Sequence, residues 1–177
     1  YSYFDNETRS VDFKAMISDL SNVANGDIVV LHGCCHNPTG ANLSKDQWNI
    51  ISELLLEKEA IPFIDIAYQG FGEGIEEDAF GTRLLADKFP EMFIAASCSK
   101  NFGIYRERCG IVMAISKNPD ISIITQGNLS YVNRQNFSFP PDHGARLVTM
   151  VLRDADLRAD WASELEQVRI GMLDART

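Results

Sequence analysis

Met92-Phe93-Ile94-Ala95-Ala96-Ser97-Cys98-Ser99-Lys100-Asn101-Phe102-Gly103 is a short apolar run that ends in hydroxyls and a lysine, and it continues through Tyr105-Arg106-Glu107-Arg108-Cys109-Gly110. The apolar part has the composition of a buried strand, and open α/β sheets bind their ligands at the carboxyl ends of such strands. Lys100 stands among Ser97, Ser99, Arg106 and Arg108. A lysine in cationic, partly desolvated surroundings is activated as a nucleophile toward carbonyls. The hydroxyls and an arginine beside it suit a phosphate, which a fixed guanidinium grips through paired hydrogen bonds. The chemistry fits an aldehyde-bearing phosphate ester. Read alone, a Lys near Arg on a loop is more often a solvated surface cluster, and the other motifs overturn that reading.

Working outward, the chain alternates. Residues 11–23 carry Phe13, Met16, Ile17, Leu20 and Val23 at helical spacing, and Asn25-Gly26 supplies a stop. Residues 28–35 read as a buried strand closed by the dense turn His36-Asn37-Pro38-Thr39-Gly40. Ser44 with Gln47 reads as a capping box for a helix through Trp48, Ile51, Leu54 and Leu55. A second strand spans 61–68, a more polar helix 76–89, a third strand 93–97 and a fourth 110–115. This order predicts an α/β fold with a mostly parallel sheet and helices on both faces. The third and fourth strands lack a helix-length connection, so they pair antiparallel or are joined by an irregular loop carrying the lysine. Downstream, helices are expected over 121–133 and 144–152. A long amphipathic one starts at Ala155, presents Leu157, Trp161, Leu165, Val168, Ile170 and Leu173, and is still running at Thr177. Aromatic residues open the chain at Tyr1, and neither end shows a cap. This reads as an excised segment: residues 1–152 within one domain and 153–177 a helix leading toward another.

Composition narrows the partners. A chain of 177 residues with 45% hydrophobic and 23% charged residues can bury one sizeable core. A net charge of -9 leaves no basic stripe for a nucleic-acid backbone. No apolar run reaches membrane-spanning length and no leader opens the chain, so neither a nucleic acid nor a membrane is expected as a partner. The four cysteines, Cys34, Cys35, Cys98 and Cys109, lack both a disulfide framework and zinc-knuckle spacing. They read as buried thiols in a reducing cytoplasm, and no metal is expected.

Several residues stand out for their chemistry. Asp65 lies in an apolar strand, where an unpaired charge demands a partner. It either caps a neighbouring loop or holds a proton on a cationic heterocycle. Tyr68 is a half-buried core tyrosine or a phenol that donates to a ring oxygen. Asn37 offers an amide next to a proline that fixes the turn, through a cis or a trans bond, and otherwise simply shapes the loop. His32 and His36 flank that turn as satisfied core histidines or as supports for the site. Gly70-Phe71-Gly72-Glu73-Gly74 is not a dinucleotide fingerprint: its third glycine comes one position early, and Glu73, Glu76 and Glu77 would repel a pyrophosphate. Arg134, in Asn133-Arg134-Gln135-Asn136-Phe137-Ser138, is a surface arginine or a carboxylate clamp.

Taken together, His36-Asn37-Pro38-Thr39-Gly40, Phe63-Ile64-Asp65-Ile66-Ala67-Tyr68-Gln69-Gly70-Phe71, Ser97 to Gly103 with Arg108, and Arg134 to Ser138 resemble the class I pyridoxal-phosphate aminotransferases. The aspartate and aromatic aminotransferase subgroup is the closest likeness. The resemblance implies a cofactor, pyridoxal 5'-phosphate, and a PLP-transferase large domain, incomplete here, over 1–152. It implies transfer of an amino group from aspartate or glutamate to a 2-oxo acid, with aromatic amino acids as the alternative substrates and a non-catalytic fragment as the other reading. By position, Lys100 matches the lysine of the internal aldimine and proton relay. Asp65 matches the partner of the ring nitrogen, and Asn37 and Tyr68 the contacts to the ring's phenolic oxygen. Ser97, Ser99 and Arg108 match the phosphate ligands. Arg134 and Ser138, with Asn37, match substrate contacts, the first two reaching into a neighbouring subunit of a cytoplasmic homodimer with shared sites. The family's upstream phosphate turn, ring-stacking aromatic and downstream carboxylate-binding arginine have no match in these 177 residues.

Overall fold

The computed structural model describes residues 1–175. A small hairpin, β1 (Phe4–Asp5) and β2 (Ser10–Val11), precedes α1 (Phe13–Leu20). Then follow β3 (Ile28–His32), α2 (Lys45–Glu57), β4 (Ile61–Ile66), α3 (Phe80–Lys88), β5 (Met92–Ser97) and β6 (Gly110–Ile115). Three helices complete the described chain: α4 (Pro119–Phe137), α5 (His143–Arg153) and α6 (Ala155–Asp174).

The main sheet has the order β3-β4-β5-β6, with β3, β4 and β5 parallel and β6 antiparallel to β5. This is the expected mostly parallel α/β sheet. The third and fourth strands pair antiparallel, and an irregular loop holding Lys100 joins them, so the two alternatives left open by the sequence hold together. Alternate residues of the strands face a core built with α1, α2 and α3: Val29, Leu31, Ile64, Ile66, Met92 and Ile94 pack with Met16, Leu20, Trp48, Ile51, Leu55 and Leu85. Each such aliphatic side chain removed from water contributes roughly 1.5–3 kcal/mol. The opposite face, with Ile28 and Val30 half-exposed, carries Asp65, Ala95 and Ser97 toward α4.

Several boundaries differ from the sequence expectation. The first helix stops at Leu20 rather than running to Val23, because the Ser21 hydroxyl and Asn22 amide bond back to the Ile17 and Ser18 carbonyls. Gly26, at φ 81°, serves the turn before β3 instead. The helix expected over 76–89 begins only at Phe80, since 75–79 form turns around Asp78. Conversely α4 continues past Asn133 to Phe137, its start capped by the Asn118 side chain on the Ile121 amide. The last helix runs to Asp174, and its expected continuation to Thr177 lies outside the described residues. Its apolar stripe is mostly exposed: Leu165 is buried and Trp161 half-buried, while Leu157, Val168, Ile170 and Leu173 face outward. Among the cysteines only Cys34 is buried; Cys35, Cys98 and Cys109 are half-buried, because they sit beyond the ends of the strands. No helix among the described residues is long and apolar enough to cross a membrane.

Candidate active site at the carboxyl ends of the strands

Parallel pairing fixes which residues converge. His32 pairs with Asp65 and Asp65 with Ala95, so β3, β4 and β5 end side by side and release their following turns at one edge of the sheet. From β3 comes the turn bearing Asn37. Its Asn37-Pro38 bond is cis, as the sequence left open, and both residues are exposed. The Asn37 amide donates to His32 Nδ1 at 3.1 Å, and His36 Nδ1 lies 2.9 Å from Thr39 Oγ1. Tyr3 stacks on His36 with centroids 4.0 Å apart. Both histidines therefore shape the turn rather than fill the core. Burial, and then the neighbouring His32, push the His36 imidazole below its usual range.

Asp65 is exposed at the end of β4, not enclosed in apolar surroundings. It lines a cleft of about 590 Å³ together with Ala95, Ser97, Arg108 and Val112. The strand alternation that placed Asp65 in an apolar run also turns it to the open face, so its charge stays in water. Ser97 Oγ donates to Ser99 Oγ at 3.0 Å and accepts the Ser99 amide at 3.2 Å, which holds the two hydroxyls together at the end of β5. Arg108 adopts a left-handed conformation, φ 51°, at the far end of the loop, and its Nη1 donates to Tyr105 O at 2.9 Å. Lys100 Nζ stands 4.7 Å from the centroid of the Tyr68 ring. An ammonium in that position is attracted to the ring face. The amine of Lys100 thus lies over the face of an aromatic ring.

Two features escaped the sequence reading. Asp78 is buried and accepts the amides of Gly70, Gly72 and Glu73 at 2.8–2.9 Å. Those donors are spent within the chain, the physical reason that this glycine-rich stretch is no pyrophosphate cradle. With Cys34 and Cys35, Asp78 also forms a group whose ligand atoms lie within 4.8 Å of one another. The other missed feature is the α4 wall of the cleft, made by Gln126, Leu129, Ser130, Asn133 and Asn136. Their positions at i, i+3, i+4, i+7 and i+10 form a helical stripe that could have been counted in the sequence. Arg134 lies on the same helix but does not line this cleft; its Nη1 donates to Ser138 O at 2.9 Å, and both residues are exposed.

The donor set is chemically coherent. The acid of Asp65, the hydroxyl of Ser97 and the guanidinium of Arg108 line one cleft, with Ser99 bonded to Ser97. The acid is chemically suited to a ring nitrogen, and the hydroxyl with the guanidinium to a phosphate, so the residues lining the cleft fit a pyridoxal-type ester. The family model for aminotransferase class I and II matches residues 1–177. The aromatic-amino-acid aminotransferase of Paracoccus denitrificans is 58% identical over 176 residues, 99% of this chain and 45% of that protein. The aspartate aminotransferase of Salmonella typhi is 43% identical over 169 residues, 96% of this chain and 43% of that protein. A solved aromatic-amino-acid aminotransferase from Burkholderia pseudomallei, described as covalently bound to pyridoxal phosphate, superposes with a TM-score of 0.92 at 43% identity, covering 96% of this chain and 42% of that one. The chain thus spans less than half the length of the curated relatives it matches.

Proposed function

The chain belongs to the class I and II aminotransferase family, and from that premise we propose that it forms the cofactor-binding part of a pyridoxal-phosphate-dependent aminotransferase. Its reaction moves the amino group of aspartate or glutamate to a 2-oxo acid. The observation that carries this reading is the convergence of Asp65, Ser97 and Arg108 on one cleft while Lys100 stands over Tyr68 at the same edge of the sheet. The Burkholderia relative's bound pyridoxal phosphate supports the cofactor.

When bound, the cofactor supplies an electron sink for charge developing at a substrate's α-carbon. The protein's part is to hold and to move protons. Asp65 would hold the ring nitrogen through its carboxylate and keep it protonated. Asn37 and Tyr68 would hydrogen-bond the phenolic oxygen, with the cis turn braced by His32 and His36 carrying Asn37. Ser97, Ser99 and Arg108 would hold the phosphate. Lys100 would hold the aldehyde through Nζ and serve as the base at a substrate's α-carbon. Arg134 and Ser138 bind a substrate's distal carboxylate across the interface of a cytoplasmic homodimer with shared sites. Residues 1–152 belong to the cofactor-binding large domain, and 153–177 lead toward a small domain.

A second reading replaces the dicarboxylate by an aromatic amino acid. It is favoured by the name of the 58% identical Paracoccus relative. In a third, the segment by itself is a non-catalytic fragment. The test is borohydride reduction in the presence of pyridoxal phosphate, followed by peptide mapping. The expected result is a phosphopyridoxyl group on Lys100, lost in Lys100→Ala; label spread over other lysines, or none, defeats the proposal. Turnover of aspartate against tyrosine by the full-length parent enzyme then separates the two substrate readings.

A further inference from the structure

Two thiols meet at the neck of the lysine loop. The last ladder pairs of β5 and β6 are Ala96↔Ile111 and Ser97↔Gly110, which brings Cys98 opposite Cys109. The Cys98 amide donates to Cys109 O at 3.0 Å, and the two side chains are themselves in hydrogen-bonding contact. Both cysteines are half-buried, and both line an apolar cleft of about 470 Å³ with Ile66, Phe102, Val148 and Trp161. This cleft lies toward α5 and α6, whereas the one holding Asp65 and Arg108 lies toward α4. Between the two cysteines run residues 99–108, which carry Ser99, Lys100 and Arg108. The proposed reaction uses neither thiol.

We infer that Cys98 and Cys109 are a redox-modification site: a low-molecular-weight disulfide such as oxidised glutathione joins them in a bond that closes the 99–108 loop at its base. Directly opposed residues on neighbouring strands lie within the Cα separation a disulfide spans. Adjacent Cys34 and Cys35 do not, because consecutive Cα atoms are only about 3.8 Å apart. Burial, and then Cys109 itself, push the Cys98 thiol up to about 11. The thiolate of Cys109 attacks one sulfur of the small disulfide, forming a mixed disulfide and releasing one small thiolate. Cys98 then gives up its proton and attacks Cys109 Sγ, expelling the second small thiolate. The two cysteines lose two electrons and two protons, and the small disulfide becomes two thiols.

The experiment equilibrates the protein with graded ratios of oxidised to reduced glutathione, quenches with acid, alkylates and digests with trypsin. Cleavage after Lys88, Lys100, Arg108 and Lys117 separates peptide 89–100 from peptide 109–117 unless the bond is present. The expected result is the linked pair, a fall from four titratable thiols to two, and reversal by dithiothreitol, with Cys34 and Cys35 still alkylated. Cys98→Ser should instead trap glutathione on Cys109. The inference fails if both cysteines stay alkylated across the range, if glutathione sits on either without the link, or if urea-unfolded protein links them equally well.

Discussion

His36 ties three elements of the site together, and its ionisation gives a measurable handle on them. It stacks on Tyr3, meets Thr39 and lies 4.5 Å from the His32 ring, all in the turn that aims Asn37. Burial and His32 lower its pKa from the ordinary 6.5. A group whose folded pKa is depressed binds fewer protons in the folded than in the unfolded chain just below the unfolded value. Stability therefore rises with pH through the window below about 6.5 and is lost as pH falls toward the folded value. Urea midpoints measured between about pH 5 and pH 7 should rise, and His36→Gln should flatten the rise. At this scale residue types suggested the proposed site: a lysine after a strand, an acid inside one and an amide before a proline are the features from which it was read. Tyr3 and Asp78 were not among them, because their importance lies in partners 33 and 5–8 positions away.

Helix α2 illustrates an element whose limits were written locally. Ser44 Oγ accepts the Gln47 amide and Gln47 returns the bond to the Ser44 amide, the capping box that the spacing announced. Its packing was not written locally. A Cβ added at Gly81 of α3 would overlap the Trp48 indole of α2, so glycine is what allows the two helices to approach. Gly81→Ala is expected to destabilise the protein by roughly 1–3 kcal/mol through overpacking, read as a lower urea midpoint at unchanged m-value. The ends of α1 and α3 were misjudged for a related reason. Periodicity marks apolar faces, whereas back-bonding by Ser21 and Asn22 and the claim of Asp78 on three amides decide where a helix can start or stop.

For the whole molecule, the exposed apolar surface points to assembly. Ile123 on α4 is 71% exposed and Phe139 beyond it 85%, with Ile111 and Val112 of β6 also uncovered. Large apolar side chains left this open suit an interaction surface. In the proposed homodimer, sedimentation should show a dimer that Ile123→Glu shifts toward monomer. Arg134→Gln should leave the dimer intact yet lower kcat/KM for aspartate on the order of 100-fold or more, through loss of a charge-paired carboxylate, with tyrosine little affected. An equal loss for both substrates would assign Arg134 a structural part.

The sequence by itself determined the strand and helix alternation, the mostly parallel sheet and the family, and it named the residues of the proposed site. These follow from hydrophobic period, turn chemistry and contiguous motifs, which are properties of neighbouring residues. Only the tertiary structure decided that Asp65 faces an open cleft, that Lys100 rests over Tyr68, that α4 walls the site and that Cys98 meets Cys109. Those facts depend on strand register and on helices docking from far along the chain, and no local pattern encodes a distance between residues that meet only when the sheet forms.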